Sequence, residues 1–419
     1  MNGAARAQSG GHGQVATYPP LSLYVHIPWC VRKCPYCDFN SHGLRAPMPE
    51  RDYVAALMAD LDGDLRDFAD ALAGREITSV FFGGGTPSLF APESIAAILD
   101  GAAARIAFAG GCEVTLETNP GTVEHGRFDS YLEAGVNRIS FGVQSFDDDK
   151  LGALGRIHSA GDAESAIKQA QDAGCANVNI DLMYALPRQT LEGALADIER
   201  AIALQPAHVS HYQLTLEPGT PFAKRPPPLP DHDAAWDMQE ACQARLATAG
   251  YAQYEVSAYA QPGLRCRHNL NYWGFGDYLG IGAGAHGKIS GTADGRVRHP
   301  ETSGLRVSRR SKVRSPRAYL AHAASALRIG GDECVAPEQL PFEFMLNALR
   351  LNDGVAPSDY QARTGQPLAT IASGLHEARR CGWLADAAER LQPTPEGRRF
   401  LNDLVAVFLP ASGPECRHA

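Results

Sequence analysis

Three closely spaced cysteines in the segment VHIPWCVRKCPYCDFNSH constrain this chain more than any other feature. Cys30, Cys34 and Cys37 form a C-x3-C-x2-C triplet directly after the apolar run 21–27. Three thiolates can hold three irons of a [4Fe-4S] cluster and leave the fourth iron open, whereas electron-transfer clusters usually take four protein thiolates. The triplet therefore predicts a cluster with an open iron, held in the loop after a strand, and chemistry at that iron.

Zinc and disulfides are the alternatives for these cysteines. A zinc site would need a fourth ligand, with His26 and His42 as nearby candidates, but structural zinc sites usually present two ligand pairs. Disulfides fit less well, because the N-terminus lacks the basic start, apolar stretch and cleavage site of a secretory signal. The other cysteines have no second pair at ligand spacing and are expected to be buried fillers or free thiols. They are Cys112, Cys175, Cys242, Cys266, Cys334, Cys381 and Cys416.

The overall composition predicts a cytoplasmic chain of more than one domain. The 419 residues are 44% hydrophobic, enough for a large core. No apolar run approaches the ~18 residues that are needed to span a bilayer. The formal net charge of -9 argues against nonspecific nucleic-acid binding, which depends on neutralising phosphates. Residues 1–18, largely small and polar and without periodicity, are expected to form a disordered tail.

Short apolar segments alternate with amphipathic stretches between residues 21 and 217, as in a parallel sheet wrapped by helices. The predicted strands are 21–27, 77–83, 113–119, 137–143, 176–184 and 208–216. The predicted helices between them include 51–73, 92–106, 162–173 and 191–204. This repeating order predicts an α/β fold, either a barrel or a partial barrel.

Polar residues follow the predicted strands at their carboxyl ends, where such folds place their active sites. The segment GGGTP at 83–87 follows the second strand. Glycines let the backbone approach a ligand closely, but this run also fits a plain tight turn. Glu117 and Gln144 end the third and fourth strands, and Arg156 follows in a loop. Asp181 lies within an apolar strand, where burial is costly unless it is paired or contacts a ligand. Their shared position predicts a common ligand.

These segments resemble, in the same order, the motifs of the radical S-adenosylmethionine (SAM) enzymes and, within them, the group around oxygen-independent coproporphyrinogen oxidase. The matching lines are YVHIPWCVRKCPYCDF, FFGGGTPS, LETNP, GVQSF, RIH and DLMYALP. The resemblance implies a partial (β/α)6 barrel over residues 19–331, a [4Fe-4S] cluster on Cys30, Cys34 and Cys37, and SAM on the open iron. The residues it implies for SAM are Tyr24, Tyr36, Gly84, Gly85, Thr86, Glu117, Gln144, Arg156 and Asp181.

Two branches of this group differ at positions that can be compared. The oxidase branch carries a fourth cysteine at the second position after the triplet, and here that position is Phe39. The oxidases also have an N-terminal extension that helps to close the active site over two SAM molecules, whereas only about twenty residues precede the first predicted strand here. Both departures disfavour decarboxylation of a porphyrinogen.

A later segment resembles the haem-chaperone branch. Residues 268–273 read HNLNYW and fit the H-N-x-x-Y-W pattern of that branch. His268 would offer an axial imidazole to haem iron, Tyr272 and Trp273 would cover the ring, and Cys266 is a second soft donor nearby. The alternative is a loop histidine whose aromatic neighbours form a minor core. No C-x-x-C-H motif for covalent attachment occurs in the chain.

The resemblance therefore implies a haem chaperone, which binds haem and transfers it to an acceptor protein such as a respiratory haem protein. The alternative is an oxygen-independent coproporphyrinogen III oxidase, which decarboxylates propionates to give protoporphyrinogen IX. The enzyme class stays open between these two, and a chaperone without oxidase activity is favoured.

A basic run lies at residues 306–317 of this otherwise acidic chain. It fits either a solvated loop or an anion contact, with haem propionates or with an acidic electron donor such as flavodoxin. Its members are Arg306, Arg309, Arg310, Lys312, Arg314 and Arg317.

Residues 332–419 have a helical pattern and resemble the winged-helix-like C-terminal domain of the same group. Helices are predicted at 342–351, 358–364, 368–381 and 395–408, with a hairpin-like stretch through Leu391. Residues 335–410 contain seven arginines and nine Asp and Glu residues, a poor match for a phosphate-binding surface, so no nucleic-acid partner is expected. We expect this domain to pack against the barrel and cover the site.

Overall fold

The computed structural model describes residues 18–121, 128–292 and 305–410, and most of the predicted tail 1–18 and Cys416 lie outside them. Within the described residues twelve strands form one sheet. They are β1 (Leu21–Ile27), β2 (Ile77–Gly84), β3 (Phe108–Thr118), β4 (Arg138–Gln144), β5 (Val178–Tyr184), β6 (His208–Gln213), β7 (Ala252–Gln253), β8 (Ala258–Ala260), β9 (Asp277–Ile281), β10 (His286–Thr292), β11 (Leu305–Lys312) and β12 (Ile329–Cys334). Their order across the sheet is β12-β11-β10-β9-β1-β2-β3-β4-β5-β6-β8-β7.

Helices follow most of the central strands. They are α1 (Glu50–Asp67), α2 (Ala69–Leu72), α3 (Pro92–Ala103), α4 (Phe128–Glu133), α5 (Asp148–Ala153), α6 (Ala160–Asp172), α7 (Leu191–Ala203), α8 (Pro221–Lys224), α9 (His232–Thr248), α10 (Arg267–Trp273), α11 (Pro316–His322), α12 (Leu340–Ala348), α13 (Pro357–Thr364), α14 (Ala372–Arg380), α15 (Pro395–Arg399) and α16 (Leu401–Ala406). Among the described helices, none has the length and apolar character that crossing a bilayer requires.

The centre of the sheet confirms the predicted partial barrel. Strands β1 to β6 lie side by side in chain order and are all parallel. In β4, Ile139 and Phe141 belong to the main hydrophobic core, whereas Ser140 and Gly142 line a cavity. This alternation follows from the period of two in a strand. One face of the central strands therefore packs under helices, and the other is free to build a site.

A second region extends the sheet beyond β1. Strand β9 pairs in parallel with β1, which the sequence did not predict, and β10 to β12 continue antiparallel. Strand β11 contains most of the basic run 306–317, so the predicted solvated loop is wrong. Arg306, Arg314 and Arg317 are exposed at its ends.

The inward cations of this run pair with aspartates of α1, and we call the group the aspartate cluster. Its members are Asp60, Asp64, Asp67, Arg310, Lys312 and Arg328. Lys312 Nζ binds Asp64 Oδ2 at 2.7 Å and also binds Asp60, while Arg310 Nη1 lies 2.9 Å from Asp64 Oδ1. Residues 60, 64 and 67 share one helix face, and alternate residues of β11 point to it. The cluster fixes the extension to the barrel, so an external anion contact for Arg310 and Lys312 is a wrong prediction.

The C-terminal helices surround a core of their own, which includes Phe344, Tyr360 and Leu375. The predicted helix 368–381 is a 3-10 turn, Leu368–Ile371, followed by α14, and the predicted helix 395–408 is interrupted at Phe400 between α15 and α16. Isolated bridges join Val355 with Leu391 and Leu384 with Pro393, the place of the predicted hairpin. Strand β12 belongs to the large sheet, so the sheet continues to Cys334 and past the predicted boundary at 332.

Candidate functional site

A cavity of about 490 Å³ opens at the carboxyl ends of the central strands. This volume lies in the usual range for small-molecule and cofactor sites. Residues from β2, β3, β4, β5 and β6 line it together with the cysteine loop, so the sheet curves around it. Of the predicted site residues it is lined by Cys30, Cys34, Tyr36, Cys37, Gly84, Gly85, Glu117, Gln144, Arg156 and Asp181.

The cysteine loop is held at both ends. Trp29–Cys30 and His42–Gly43 form a short parallel pair, and the Leu44 amide donates to the Cys30 carbonyl at 2.9 Å. The Cys37 amide donates to the Cys34 carbonyl at 3.2 Å, which closes the turn between these two thiols. All three thiols are half-buried and free. The loop therefore presents them to the cavity from a fixed base.

The glycine segment supports this loop. The Gly85 amide donates to the Ile27 carbonyl at 2.8 Å, and the Thr86 amide donates to the Trp29 carbonyl at 2.7 Å. A Cβ at Gly85 would lie 2.4 Å from the Trp29 carbonyl oxygen, and Gly84 has φ +114°. Close packing against the loop thus requires glycine at Gly85, and the left-handed backbone favours it at Gly84. Gly84 and Gly85 also line the cavity, so the close approach of the backbone to a ligand stays a prediction beside this structural role.

Two carboxylates face the cavity from neighbouring strands. Burial, and then the charge of Asp181, raises the pKa of Glu117 to about 8. Burial also raises the pKa of Asp181, although Asn179 Nδ2 and Ser140 Oγ donate to it at 2.8 and 3.0 Å. The Gly84 amide donates to Glu117 Oε2 at 3.3 Å. No described cation lies within 4 Å of either carboxylate, which is the arrangement expected where a ligand supplies the missing donors.

Arg156 links the cavity wall to the cysteine loop. Its Nη1 lies 3.6 Å from Cys34 Sγ, and its Nη2 donates to the Gly142 carbonyl at 2.5 Å and to Asn119 Oδ1. Asn119 in turn donates to Thr86 Oγ1 at 2.6 Å. Thr86 is therefore behind the wall, where it holds Asn119. Gln144 ends β4 with φ +73°, a left-handed conformation that is strained outside glycine.

Arg138 and Asn269 are among the cavity residues that the sequence analysis did not single out. Arg138 begins β4, is only 2% exposed, and its Nε has no hydrogen-bond partner among the described residues. Asn269 of α10 reaches the same cavity. The argument made for Asp181 also applies to Arg138, because Arg138 is likewise a charged residue in an apolar strand. Asn269 has no comparable signal in the sequence.

Tyr24 and His26 lie behind the wall of the cavity. Tyr24 stacks on Phe81 with ring centroids 6.3 Å apart, and its hydroxyl donates to His26 Nδ1 at 3.0 Å. His26 Nε2 donates to the Asn40 carbonyl at 3.0 Å, and burial lowers the pKa of this imidazole to about 4. Both ring nitrogens of His26 are thus engaged within the chain. In residues 18–121, 128–292 and 305–410, no three His, Cys, Asp or Glu side chains converge to hold one metal ion. A cluster, whose thiolates bind different irons, suits the triplet better than zinc.

The predicted haem residues lie on or beside the helix α10, and not in the loop that the alternative interpretation assumed. His268 stacks on Phe81 with centroids 4.8 Å apart, and its buried Nδ1 has no hydrogen-bond partner in the described chain. Cys266 is buried, and its thiol donates to Glu113 Oε1 at 3.4 Å. Tyr272 packs on Tyr278, and Arg350 lies 4.3 Å from the centre of the Trp273 ring. None of these four residues lines the cavity described above.

The C-terminal domain packs on this helix and on β11. Arg309 pairs with Glu343, and Trp273 contacts the C-terminal core. None of the cavity's lining residues belongs to the described part of the domain, 335–410. The expected packing against the barrel is therefore present, but the expected cover over the site is not.

Comparisons with known proteins identify the class. The radical SAM superfamily model matches residues 24–221, and the model of the HemN C-terminal domain matches residues 335–400. The solved structure of coproporphyrinogen III oxidase (HemN) from Escherichia coli has a TM-score of 0.75 with this chain, at 21% identity, covering 93% of this chain and 90% of the other. The chain has the radical SAM fold, a partial α/β barrel with a HemN-type C-terminal domain, and this class implies a [4Fe-4S] cluster and SAM.

Relatives that match over nearly their full length identify the family within this class. Proteins from Haemophilus influenzae and Escherichia coli, each named heme chaperone HemW, are 48% and 49% identical to this chain over 93% of it and 98% of their own length. A Mycobacterium tuberculosis protein of the same name is 33% identical over 93% of this chain and 95% of its own. This chain belongs to the HemW family of radical SAM proteins.

Proposed function

We propose that this chain is a haem chaperone that binds haem and transfers it to an acceptor protein, in the cytoplasm. The observation that carries the proposal is the similarity to relatives named heme chaperone HemW, at 48–49% identity over 93% of the chain. The similarity to the oxidase HemN, at 21% identity, concerns the fold alone. Phe39, which is 63% exposed, stands where the oxidase branch has its fourth cysteine.

We further propose that Cys30, Cys34 and Cys37 ligate a [4Fe-4S] cluster and that the cavity holds SAM. In this class the reduced cluster would supply one electron to the sulfonium of SAM. Glu117 and Asp181, which lack a cationic partner within 4 Å in the described chain, would accept from polar hydrogens of SAM. Arg138 would donate to an acceptor atom of the ligand, since a buried guanidinium is costly without one. Arg156 would keep the loop and the cavity wall in register.

For haem, the proposal rests on His268. Burial lowers its pKa to about 4, so the imidazole is neutral, as iron ligation requires. Its Nδ1 has no hydrogen-bond partner in the described chain but is buried, so iron ligation through this atom requires the ring to become accessible. Cys266 already donates to Glu113, which makes it a weaker candidate, and Tyr272 and Trp273 would contribute through the packing of α10. An acidic electron donor would have Arg306, Arg314 and Arg317 available as exposed contacts.

The alternative function is an oxygen-independent coproporphyrinogen III oxidase, and one experiment separates the two. Anaerobically reconstituted protein is incubated with SAM, a reductant and either haem or coproporphyrinogen III. We expect a Soret band from bound haem and no protoporphyrinogen IX. Turnover above a cluster-free control would return the protein to the oxidase branch.

The residue behind haem binding is tested in the same assay. His268→Ala should shift the Soret band or weaken haem binding while the cluster absorbance stays unchanged, because axial ligation sets the haem spectrum. His376→Ala, at an exposed histidine of α14, is the matched control. Equal spectra and affinities for wild type and His268→Ala would remove His268 from the haem site.

A further inference from the structure

A chain of hydrogen bonds runs beneath the cavity from Asp181 to Asn269. Asn179 Nδ2 donates to Asp181 Oδ1 at 2.8 Å, and Asn179 Oδ1 lies 2.6 Å from His208 Nδ1. His208 Nε2 lies 2.9 Å from the Tyr254 hydroxyl, and Asn269 Nδ2 lies 3.3 Å from the same hydroxyl. His208 and Tyr254 are buried, with 0% and 1% exposure. The two ends of the chain, Asp181 and Asn269, both line the cavity.

The donors in this hydrogen-bond chain all point in one direction, from Asn269 towards Asp181. The Asn179 amide turns its nitrogen to the carboxyl of Asp181, so its oxygen accepts from His208. Burial lowers the pKa of His208 well below its ordinary value, and a neutral imidazole carries one N–H. That hydrogen is on Nδ1, so Nε2 accepts from the Tyr254 hydroxyl. The hydroxyl oxygen then accepts from Asn269. Such a chain is cooperative, because each bond polarises the next.

The direction gives the chain two discrete states. A ligand that donates to Asp181 competes with Asn179 and reduces the demand for the hydrogen on His208 Nδ1. Moving that hydrogen to Nε2 requires the Asn179 amide to turn over, so that its nitrogen donates to the bare Nδ1 in place of Asp181. It also leaves the Tyr254 hydroxyl facing a donor instead of an acceptor. Tyr254 would have to turn its hydrogen away, which disturbs the bond to Asn269. The state of the cavity at Asp181 is thereby linked to α10, the helix that carries His268.

We propose that Asn269, Tyr254 and His208 are positioning residues that couple the SAM cavity to helix α10, so that SAM and haem each change the affinity for the other. This inference rests on the proposed function and names how its two ligands communicate. Coupling between two binding sites is reciprocal by thermodynamic necessity. The factor by which SAM changes the haem affinity must therefore equal the factor by which haem changes the SAM affinity.

The test uses Tyr254→Phe, which removes one hydroxyl from the chain and keeps the ring. Tyr251→Phe is the matched control, because Tyr251 is only 3% exposed and its hydroxyl donates at 2.8 Å to the Pro206 carbonyl, outside this hydrogen-bond chain. Haem affinity is measured by Soret titration of the reconstituted full chain with and without saturating SAM. SAM affinity is measured by equilibrium dialysis with and without haem.

We expect SAM to change the haem affinity by at least about fivefold in wild type and in Tyr251→Phe, and by less than about twofold in Tyr254→Phe. Full coupling in Tyr254→Phe, or none in a wild type that binds both ligands, would overturn the inference and leave the proposed function standing. A wild type that binds no haem would overturn both.

A direct measurement covers the case in which Tyr254→Phe does not fold. Nitrogen-15 spectra of histidine-labelled wild type, anaerobically reconstituted with its cluster and assigned with His208→Gln, report the tautomer of His208. We expect the Nδ1–H tautomer in the absence of SAM and a loss of that preference when SAM binds. A predominant Nε2–H tautomer without SAM, or a signal that SAM leaves unchanged, would overturn the inference.

Discussion

The cavity and the aspartate cluster both bury charged groups, but they satisfy them differently. In the cluster, Lys312 binds two aspartates, and Tyr319 Oη donates to Asp60 Oδ2 at 2.7 Å. In the cavity, Glu117, Asp181 and Arg138 have no ion-pair partner within 4 Å among the described residues. The charges of the first region form ion pairs within the chain, whereas those of the second region form none within 4 Å among the described residues.

This difference separates structural charges from functional ones. Burial alone does not, because Asp60 is as inaccessible as any cavity residue, at 0% exposure. The presence or absence of partners does separate the two kinds of charge. A buried charge with a full set of partners within the chain stabilises the fold, whereas a buried charge with missing partners indicates a binding site. Substitutions in the two regions should therefore affect different measurements.

The largest effect is expected at the cysteine loop, whose three thiols would bind the cluster directly. Cys34→Ser should abolish the [4Fe-4S] absorbance and the iron content after anaerobic reconstitution, because each cysteine supplies one of three thiolates. Cys112→Ser and Cys175→Ser, at buried cysteines outside the cavity, are the controls. Full iron content in Cys34→Ser would contradict the assignment.

The next effect concerns stability and belongs to the aspartate cluster. Lys312→Met should lower the free energy of unfolding by about 3–5 kcal/mol, because it leaves Asp60 and Asp64 buried with less compensation. Chemical denaturation measures this, with Lys224→Met at an exposed position as the control. A change below about 1 kcal/mol would show that the remaining arginines suffice and that the cluster is not a structural unit.

The pH dependence of stability should reveal the raised pKa of the buried Glu117 carboxyl. Folded Glu117 keeps its proton up to a pKa of about 8, whereas the unfolded chain releases it near the ordinary value of 4.5. Between these pH values the unfolded state binds fewer protons, so stability falls as pH rises. Denaturation of ligand-free wild type and Glu117→Gln from pH 5 to 8.5 should show a steeper fall in wild type. Parallel curves would mean that Glu117 is already satisfied.

The smallest effect is on SAM binding by Glu117→Gln. The variant keeps the shape and the oxygen that accepts from the Gly84 amide. Unlike Glu117, it cannot ionise when a ligand donates to it, so it cannot form a charge-assisted hydrogen bond. The SAM affinity should fall about tenfold, which equals about 1.4 kcal/mol. Equilibrium dialysis measures this, and Glu192→Gln at an exposed glutamate of α7 is the control. An unchanged affinity would place the SAM contacts elsewhere in the cavity.

The sequence predicted those parts of the fold that depend on local patterns. The six central strands have apolar runs and turn signals, so their pairing order followed from the repeating β/α pattern. Strand β11 was missed because its charges are balanced by Asp60, Asp64 and Asp67, more than 240 residues earlier in the chain, and nothing local indicates that pairing. Strand β9 was missed for a similar reason, since its partner β1 lies more than 250 residues earlier in the chain.

The candidate site was predicted by motif and corrected by packing. The cysteines, glycines and strand-end carboxylates meet in one cavity, as their shared strand-end position indicated. The haem segment was less predictable, because the direction of a helical side chain depends on what the helix packs against. Asn269 faces the cavity, whereas Trp273 faces the C-terminal domain.

The contact between Gly85 and Trp29 has a consequence for how mutations in this chain should be judged. Val31 lies between the first two cysteines and is 47% exposed, so substitution there should leave the thiols in place. Gly85 is about fifty residues further along the chain, yet any side chain there would push on the backbone beside Cys30. A variant at Gly85 that leaves every cysteine intact should therefore be classified with the loss-of-cluster variants, although a survey of ligand positions alone would score it as harmless.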